Sequence, residues 1–237
     1  MRNPERPPSP TPMSPNDPNP TNARQIVDHE LSRWRRIFAG DEFYYGDEPG
    51  PVARRAVRYH RRFPGATALD AGCGEGQDLV YLAGLAYAAT GVEFTPEGAE
   101  KSRQLVAQRG FPAEVIEQDL RAFLAAEERQ FDLVLAVNSL QFLGRDASVC
   151  LDRLMTRVAP GGVIGLSLFA REPHEAEVSS THYFTTLEEL LRRFAGWLPL
   201  EAARLWQWNV TTNEPQPFVT LIARNAPPMR SGLVTLR

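Results

Sequence analysis

The stretch Ala68-Leu69-Asp70-Ala71-Gly72-Cys73-Gly74-Glu75-Gly76 carries a short apolar strand, beginning at Thr67, into a glycine-rich turn, after which residues 77–86 read as a helix. Glycines there allow a tight turn and a close approach of backbone to ligand. A nicotinamide dinucleotide site has the spacing Gly-x-Gly-x-x-Gly. Here the spacing is Gly72-x-Gly74-x-Gly76, with Asp70 in front and Glu75 inside. A pyrophosphate wants a helix N-terminus free of carboxylates. Asp70 and Glu75 repel such a group and suit a ligand that carries an ammonium or a sulfonium.

Outward from this turn, strand and helix patterns alternate. Residues 88–93 form a second strand, and Thr95-Pro96 opens a helix to Arg109, with threonine as cap and proline at the first helical position. Strands follow at 113–118, 131–137 and 162–169, with helices near 121–128 and 147–158. Five strands alternating with helices predict a parallel sheet covered on both faces, because parallel crossovers place helices there. Residues 170–185 read as a long polar loop. Thr186-Leu187-Glu188-Glu189 is a capping box that opens a helix to Phe194. Apolar runs at 198–210 and 218–223, split by Thr211-Thr212-Asn213-Glu214-Pro215, predict an antiparallel hairpin at the end of the sheet. The fold class is α/β: a Rossmann-like, seven-stranded, mostly parallel sheet with helices on both faces and a C-terminal hairpin.

Two further carboxylates join Asp70. Glu93 ends the second strand, 21 residues beyond Gly72, where an acidic group accepts both hydroxyls of a ribose. Asp119 follows the third strand and is placed to accept from an adenine amino group. All three converge at the carboxyl edge of the sheet, where open α/β sheets bind ligands.

Composition narrows the class. The chain has 237 residues, net charge -3, and two cysteines, Cys73 and Cys150, in no metal-spaced cluster. No metal is expected. Of the 26 basic residues only Lys101 is lysine, and the arginines are interleaved with carboxylates, which argues against a nucleic-acid surface. The longest apolar run, residues 79–89, is far short of the roughly 20 residues of a membrane span, and residues 1–20 lack the apolar centre of a secretory leader. A cytoplasmic location is expected. Residues 1–22 hold eight of the 20 prolines and read as a disordered Pro-rich tail. Residues 23–62 read as N-terminal helices and a lid, 63–224 as the ligand-binding domain, and 225–237 as a flexible tail. The oligomeric state has no signature.

Leu69–Gly76 together with Gly91-Val92-Glu93-Phe94, Gln118-Asp119-Leu120 and Pro160-Gly161-Gly162 resembles, in order and spacing, the motifs of class I S-adenosylmethionine-dependent methyltransferases. Tyr44-Tyr45-Gly46, Asn138-Ser139-Leu140-Gln141-Phe142-Leu143 and Tyr183-Phe184-Thr185 resemble the tellurite-resistance subgroup of small-molecule methyltransferases. The resemblance implies S-adenosylmethionine as cofactor. It places Gly72, Gly74 and Gly76 under the methionine part, Asp70 on its ammonium, Glu93 on the ribose and Phe94 on the adenine. It also sets Asp119 on the adenine amine, the Leu120 amide on a ring nitrogen, and the Asn138 carbonyl against the carboxypropyl side.

Methyl transfer from a sulfonium needs alignment more than acid–base chemistry, and a base only where the nucleophile arrives protonated. A soft chalcogen or thiol nucleophile needs none, and that matches the lack of an evident catalytic dyad. The Asn/Asp-Pro-Pro-aromatic motif of amino-group nucleic-acid methylases is replaced by Asn138-Ser139-Leu140-Gln141, and neither cysteine follows a proline as in cytosine C5 methylases. A small-molecule acceptor is expected, the alternatives being a protein or RNA target, or a cofactor-binding module with other chemistry. Candidate residues facing the acceptor are Tyr44 and Tyr45 in the glycine-rich loop before the sheet, Gln141 after the fourth strand, and His182 in the polar loop, with His174 and Arg171 as lesser candidates. Cys73 reads as a small side chain in the turn.

Overall fold

The computed structural model describes residues 23–175, 181–209 and 214–226. The Pro-rich segment 1–22, part of the polar loop and most of the C-terminal tail therefore lie outside the described residues. The sequence of elements is α1 (Ala23–Phe38), α2 (Pro51–Tyr59), β1 (Thr67–Ala71), α3 (Gln77–Gly84), β2 (Ala88–Glu93), α4 (Pro96–Arg109), β3 (Ala113–Glu117), α5 (Leu120–Ala126), β4 (Phe131–Val137), α6 (Ala147–Thr156), β5 (Val158–Phe169), α7 (Leu187–Arg193), β6 (Leu198–Asn209) and β7 (Glu214–Arg224). Among the described residues no helix is long and apolar enough to cross a membrane.

The seven strands form one sheet in the order β3-β2-β1-β4-β5-β7-β6. β1 pairs in parallel with both β2 and β4, so successive crossovers leave it in opposite directions. A crevice opens at the carboxyl ends of β1 and β4 for that reason. Ala68, Leu69, Asp70 and Ala71 are all buried, as a central strand covered on both faces requires. On one face Leu120, Phe123, Leu124, Leu151, Leu154, Leu190 and Phe194 form a core with the sheet. On the other, Ala53, Ala56, Leu79, Leu82, Ala83 and Tyr87 form a second. The hairpin enters with its later strand innermost: β7 pairs antiparallel with β5 from Val163↔Arg224 to Phe169↔Phe218, and β6 lies outside it.

Three local readings change. The polar loop is not wholly solvent-facing: Tyr183 and Thr185 are buried, the Tyr183 amide donates to the Gln141 carbonyl at 2.8 Å, and the Thr185 amide donates to Phe169 O at 3.1 Å. Those bonds satisfy the buried backbone that a loop at this depth otherwise leaves unpaired. A 3₁₀ helix, Leu140–Asp146, follows β4 where no helix was expected. Asn225, set beyond the domain by composition, donates from Nδ2 to Val158 O at 2.9 Å and extends the pairing past β7.

The N-terminal helices are placed by apolar contacts. α2 lies against the sheet through Val52, Ala53 and Ala56, with a Val52 methyl close over Gly165. α1 crosses the carboxyl edge: Trp34 meets Phe142 edge-on at 5.0 Å between ring centroids, Phe38 lies against Gly74, and Arg35 pairs with Glu97 at 2.9 Å.

Gly91 in β2 reports how tightly α3 seats on the sheet. A methyl there would lie 2.6 Å from Leu79 Cδ2 and 2.8 Å from Cys73 Sγ. Gly91→Ala is expected to destabilise the domain by about 1–3 kcal/mol, as overpacking of a filled core does. The check is a lowered urea midpoint with an unchanged slope.

Candidate functional site

Asp70 leaves the core on β1 just before the chain turns, and the turn is possible because Gly72, Gly74 and Gly76 take φ values of +84°, +54° and +92°. A side chain is strained in that region. At Gly72 a Cβ would also lie 2.3 Å from Ser139 Cβ, so glycine is required twice over there. The amides of Gly72 and Cys73 both donate to Val92 O, at 2.9 and 3.0 Å, which locks the turn to β2.

A cavity of about 300 Å³ opens over this turn. Asp70, Gly72, Gly74, Glu93, Phe94, Asp119, Leu120 and Asn138 all line it, so the sequence-derived binding residues, Gly76 excepted, share one wall system. Gly76 instead caps α3 and backs onto Ser102. Asp70 Oδ2, Gln77 Oε1, Ser139 Oγ and Glu30 Oε1 are buried without a hydrogen-bond partner among the described residues, and all four residues line the cavity. Buried polar atoms are ordinarily paired, so four orphans around one cavity mark a place for a polar ligand.

The electrostatics specify its sign. Burial, with like charge on Asp78 and Glu93, raises the Asp70 carboxyl well above its ordinary range. Burial also raises Asp78, partly offset by the Gly50 amide, which donates to it at 2.6 Å. Glu93 is raised by burial and eased by Thr95, whose amide and hydroxyl donate at 2.8 and 2.6 Å, and by the Gly74 amide at 3.2 Å. Three carboxylates held short of full solvation favour a cationic guest and disfavour a pyrophosphate. The residues thus fit the ammonium and sulfonium of S-adenosylmethionine.

Several expected residues also hold the fold. Glu93 ties the glycine turn to the start of α4. Asp119 caps α5 by accepting from the Arg121 amide at 2.7 Å, and its other oxygen accepts from Arg121 Nη1 at 2.9 Å. Asn138 has φ +53°, and its side chain is fixed by the Ser167 hydroxyl at 2.8 Å.

The acceptor-side residues divide. Tyr45 lines the cavity and is 46% exposed, whereas Tyr44 is not on its wall. The Tyr44 amide donates to Glu75 at 2.8 Å. Glu75 is buried and also accepts from Lys101, whose ammonium reaches the Glu42 carbonyl at 2.6 Å. The chain's one lysine therefore holds the 42–45 loop to the glycine turn. Gln141 is fully enclosed, is not on the wall, and both its amide atoms lack partners among the described residues. His182 is not on the wall either. It sits 5.4 Å from the Phe142 ring and 4.0 Å from Glu30, with Thr181 Oγ1 at 2.7 Å from Nδ1, and burial lowers its pKa. Arg171 is buried and bound to Glu189 and to the Glu172 and Pro173 carbonyls, so it is no free anion site. His174 lies in the exposed turn. Cys73 is buried and burial raises its thiol, in keeping with a packing role.

The sequence reading of residues 23–62 as helices and a lid named no residue of α1 as part of the site. Val27, Glu30, Trp34 and Phe38 recur at helical spacing along α1, and all line the cavity together with Phe142. The one carboxylate set among them, Glu30, is buried.

A family model described as a methyltransferase domain matches residues 68–162. The chain is 28% identical over 151 residues to an uncharacterized methyltransferase, YodH, of Bacillus subtilis, the match covering 61% of this chain and 64% of that one. It is 25% identical over 148 residues to a ubiquinone biosynthesis O-methyltransferase of Paraburkholderia phytofirmans, covering 60% and 63%. The matches therefore span less than two thirds of these relatives. In structure it resembles TehB from Haemophilus influenzae, at a TM-score of 0.62 and 18% identity over 73% of this chain and 60% of that one. It likewise resembles the 1,6-didemethyltoxoflavin-N1-methyltransferase of Burkholderia thailandensis, which was solved with 1,6-didemethyltoxoflavin and S-adenosylhomocysteine bound. That likeness has a TM-score of 0.64 and 20% identity, over 90% and 95% of the two chains. These likenesses to solved structures establish the fold.

Two predictions follow from the charges. Because the folded state raises Asp70, its ionisation costs stability as pH climbs from the ordinary value of 3.8 towards the raised one. Asp70→Asn is expected to melt above the wild type at pH 8, with the gain vanishing by about pH 4; thermal melts across pH measure this. Lys101→Met leaves buried Glu75 without its countercharge, still bonded to the Tyr44 amide, and is expected to cost about 3 kcal/mol and to quicken proteolysis in the 42–45 loop. Denaturation and timed digestion check both effects.

Proposed function

We propose that this chain, a class I S-adenosylmethionine-dependent methyltransferase, methylates a small-molecule acceptor held between the glycine turn and helix α1. The observation that carries the reading is the acidic wall around Asp70, whose unpaired Oδ2 faces a cavity built at the topological switch point. When bound, the cofactor supplies an activated methyl group on a sulfonium. Asp70 takes its ammonium, the Glu93 oxygen not committed to Thr95 takes the ribose, and Phe94, Asp119 and the Leu120 amide take the adenine. Asn138 and Ser139 border the methionine part. α1 and Tyr45 exclude water, which strengthens each of these contacts.

The roof supports a compact acceptor over a polypeptide or an RNA strand, since α1 and the 43–50 loop close over about 300 Å³. The relative from Paraburkholderia phytofirmans is named an O-methyltransferase, and the structural neighbour from Burkholderia thailandensis an N-methyltransferase. A soft chalcogen or thiol acceptor, the sequence-based expectation, places no demand on a base.

Titration calorimetry with S-adenosylhomocysteine, and with NAD as control, tests the cofactor half. Binding of the first alone is expected. Asp119→Ala removes a charged acceptor worth about 1.5–3 kcal/mol, so affinity is expected to fall roughly 10–150-fold. Losing the α5 cap also costs about 1 kcal/mol of stability. Unchanged affinity removes Asp119 from the site, and NAD binding in place of S-adenosylhomocysteine overturns the reading.

A further inference from the structure

We propose that Glu30 is the proton acceptor of the acceptor subsite, and that the acceptor is a flat aromatic molecule methylated on an O–H or N–H group. The inference rests on the reading of the cavity as a methyl-transfer site and adds the chemical class of the second substrate.

Glu30 is 2% exposed and lies on the inward face of α1, between Val27 and Trp34. Its Oε2 accepts from Arg33 Nη1 at 3.2 Å, while Oε1 makes no hydrogen bond among the described residues. Three basic groups face this carboxylate: Arg33 and His29 from α1, the latter with Nδ1 3.4 Å away, and His182 from the returning segment, with Nε2 at 4.0 Å. Arg33 is shared, its guanidinium lying 5.2 Å and 5.6 Å from the Trp34 and Phe142 ring centroids. A carboxylate so placed is costly to bury unless something donates to it. An acceptor hydroxyl or ring N–H supplies that donor.

The position is on the acceptor side. Glu93 and Asp119, at the ends of β2 and β3, mark the nucleoside end of the cavity. Glu30 instead lines the cavity from α1, with His182 4.0 Å away and with Trp34 and Phe142 on the same wall. There the wall is aromatic: Trp34 meets Phe142 at 5.0 Å and Tyr45 at 6.3 Å, and Phe169, off the wall, backs Phe142 at 5.6 Å. Such walls bind a flat ring by stacking and edge contacts. Arg33 is already paired with Glu30, and Arg121 on the cavity wall with Asp119 and Asp146, so neither guanidinium is left for a free anion. That arrangement disfavours a thiolate or chalcogenide and favours a neutral, protonated nucleophile.

The step balances without another reactant. The acceptor's lone pair forms the bond to the methyl carbon as that carbon's bond to sulfur breaks, leaving its electron pair on sulfur. The acceptor's proton passes to Glu30 Oε1 and then to solvent. General-base help is needed because the nucleophile begins protonated. His182, held by Thr181 at Nδ1, is a positioning residue that flanks the carboxylate.

The test uses the full chain loaded with S-adenosylhomocysteine and titrated with 4-nitrophenol, 4-nitroanisole and 4-nitrothiophenol, followed by absorbance and calorimetry. The phenol is expected to bind saturably and at least tenfold more tightly than the anisole, which has no proton to donate, and than the thiol. Glu30→Gln is expected to weaken phenol binding at least tenfold with S-adenosylhomocysteine affinity within twofold of wild type. Absence of saturable phenol binding, equal affinity for phenol and anisole, a preference for the thiol, or an unchanged affinity in Glu30→Gln each overturns the proposal. The three-ligand comparison needs no variant, so it stands even where Glu30→Gln fails to fold. Failure of the wild type to bind S-adenosylhomocysteine overturns the methyl-transfer reading instead, and is read separately.

Discussion

Three carboxylates buried around one left-handed turn of backbone are the constraint on which this structure depends. Asp70, Asp78 and Glu93 are each held where water solvates them poorly, and burial pushes all three upward. A fold of this size has only a small margin of net stability, so such a cluster is a standing cost. The protein offsets part of it locally: amides of Gly50, Gly74 and Thr95 point at Asp78 and Glu93. Asp70 is left with an oxygen that no described group satisfies. Stability is given up at a position on the cavity wall.

The same turn also organises what lies above it. Glu75, on the cavity wall, gathers the Tyr44 amide and Lys101, so the loop that carries Tyr45 is anchored to the glycine turn itself. Asp78 holds the Gly50 amide at the start of α2. The roof is therefore fastened to the floor through two acidic side chains, and Trp34 and Phe38 of α1 close the remaining side. Any motion that opens the cavity has to loosen these polar ties first, because the aromatic contacts alone are non-directional.

The two halves of the cavity differ in how they are built. The nucleoside half stands on strand ends, whose positions the sheet fixes, and uses backbone turns that few residues other than glycine adopt. The acceptor half stands on a helix, a 3₁₀ turn and a returning segment, drawn from three distant parts of the chain and joined by aromatic packing. A fixed half and an adaptable half suit a fold that keeps one cofactor and varies its acceptor.

The sequence by itself determined the parallel sheet, its helical covers, the terminal hairpin and the strand-end residues that line the cavity. Each is written in local signals: period, caps, glycines with positive φ, and carboxylates at strand ends. Thr186 and Glu189 form the reciprocal cap that their spacing predicts. What only the tertiary structure decided is which residues of α1, the 43–50 loop and the segments after β4 and β5 reach the cavity. Tyr44 turns from the cavity while Tyr45 lines it, and Gln141 and His182 lie behind the wall. Glu30, which no sequence motif singles out, is buried and lines the cavity. No local signal distinguishes these outcomes. They follow from how α1 lies across the carboxyl edge, a placement set by Trp34, Phe38 and Phe142 meeting across more than 100 residues of chain.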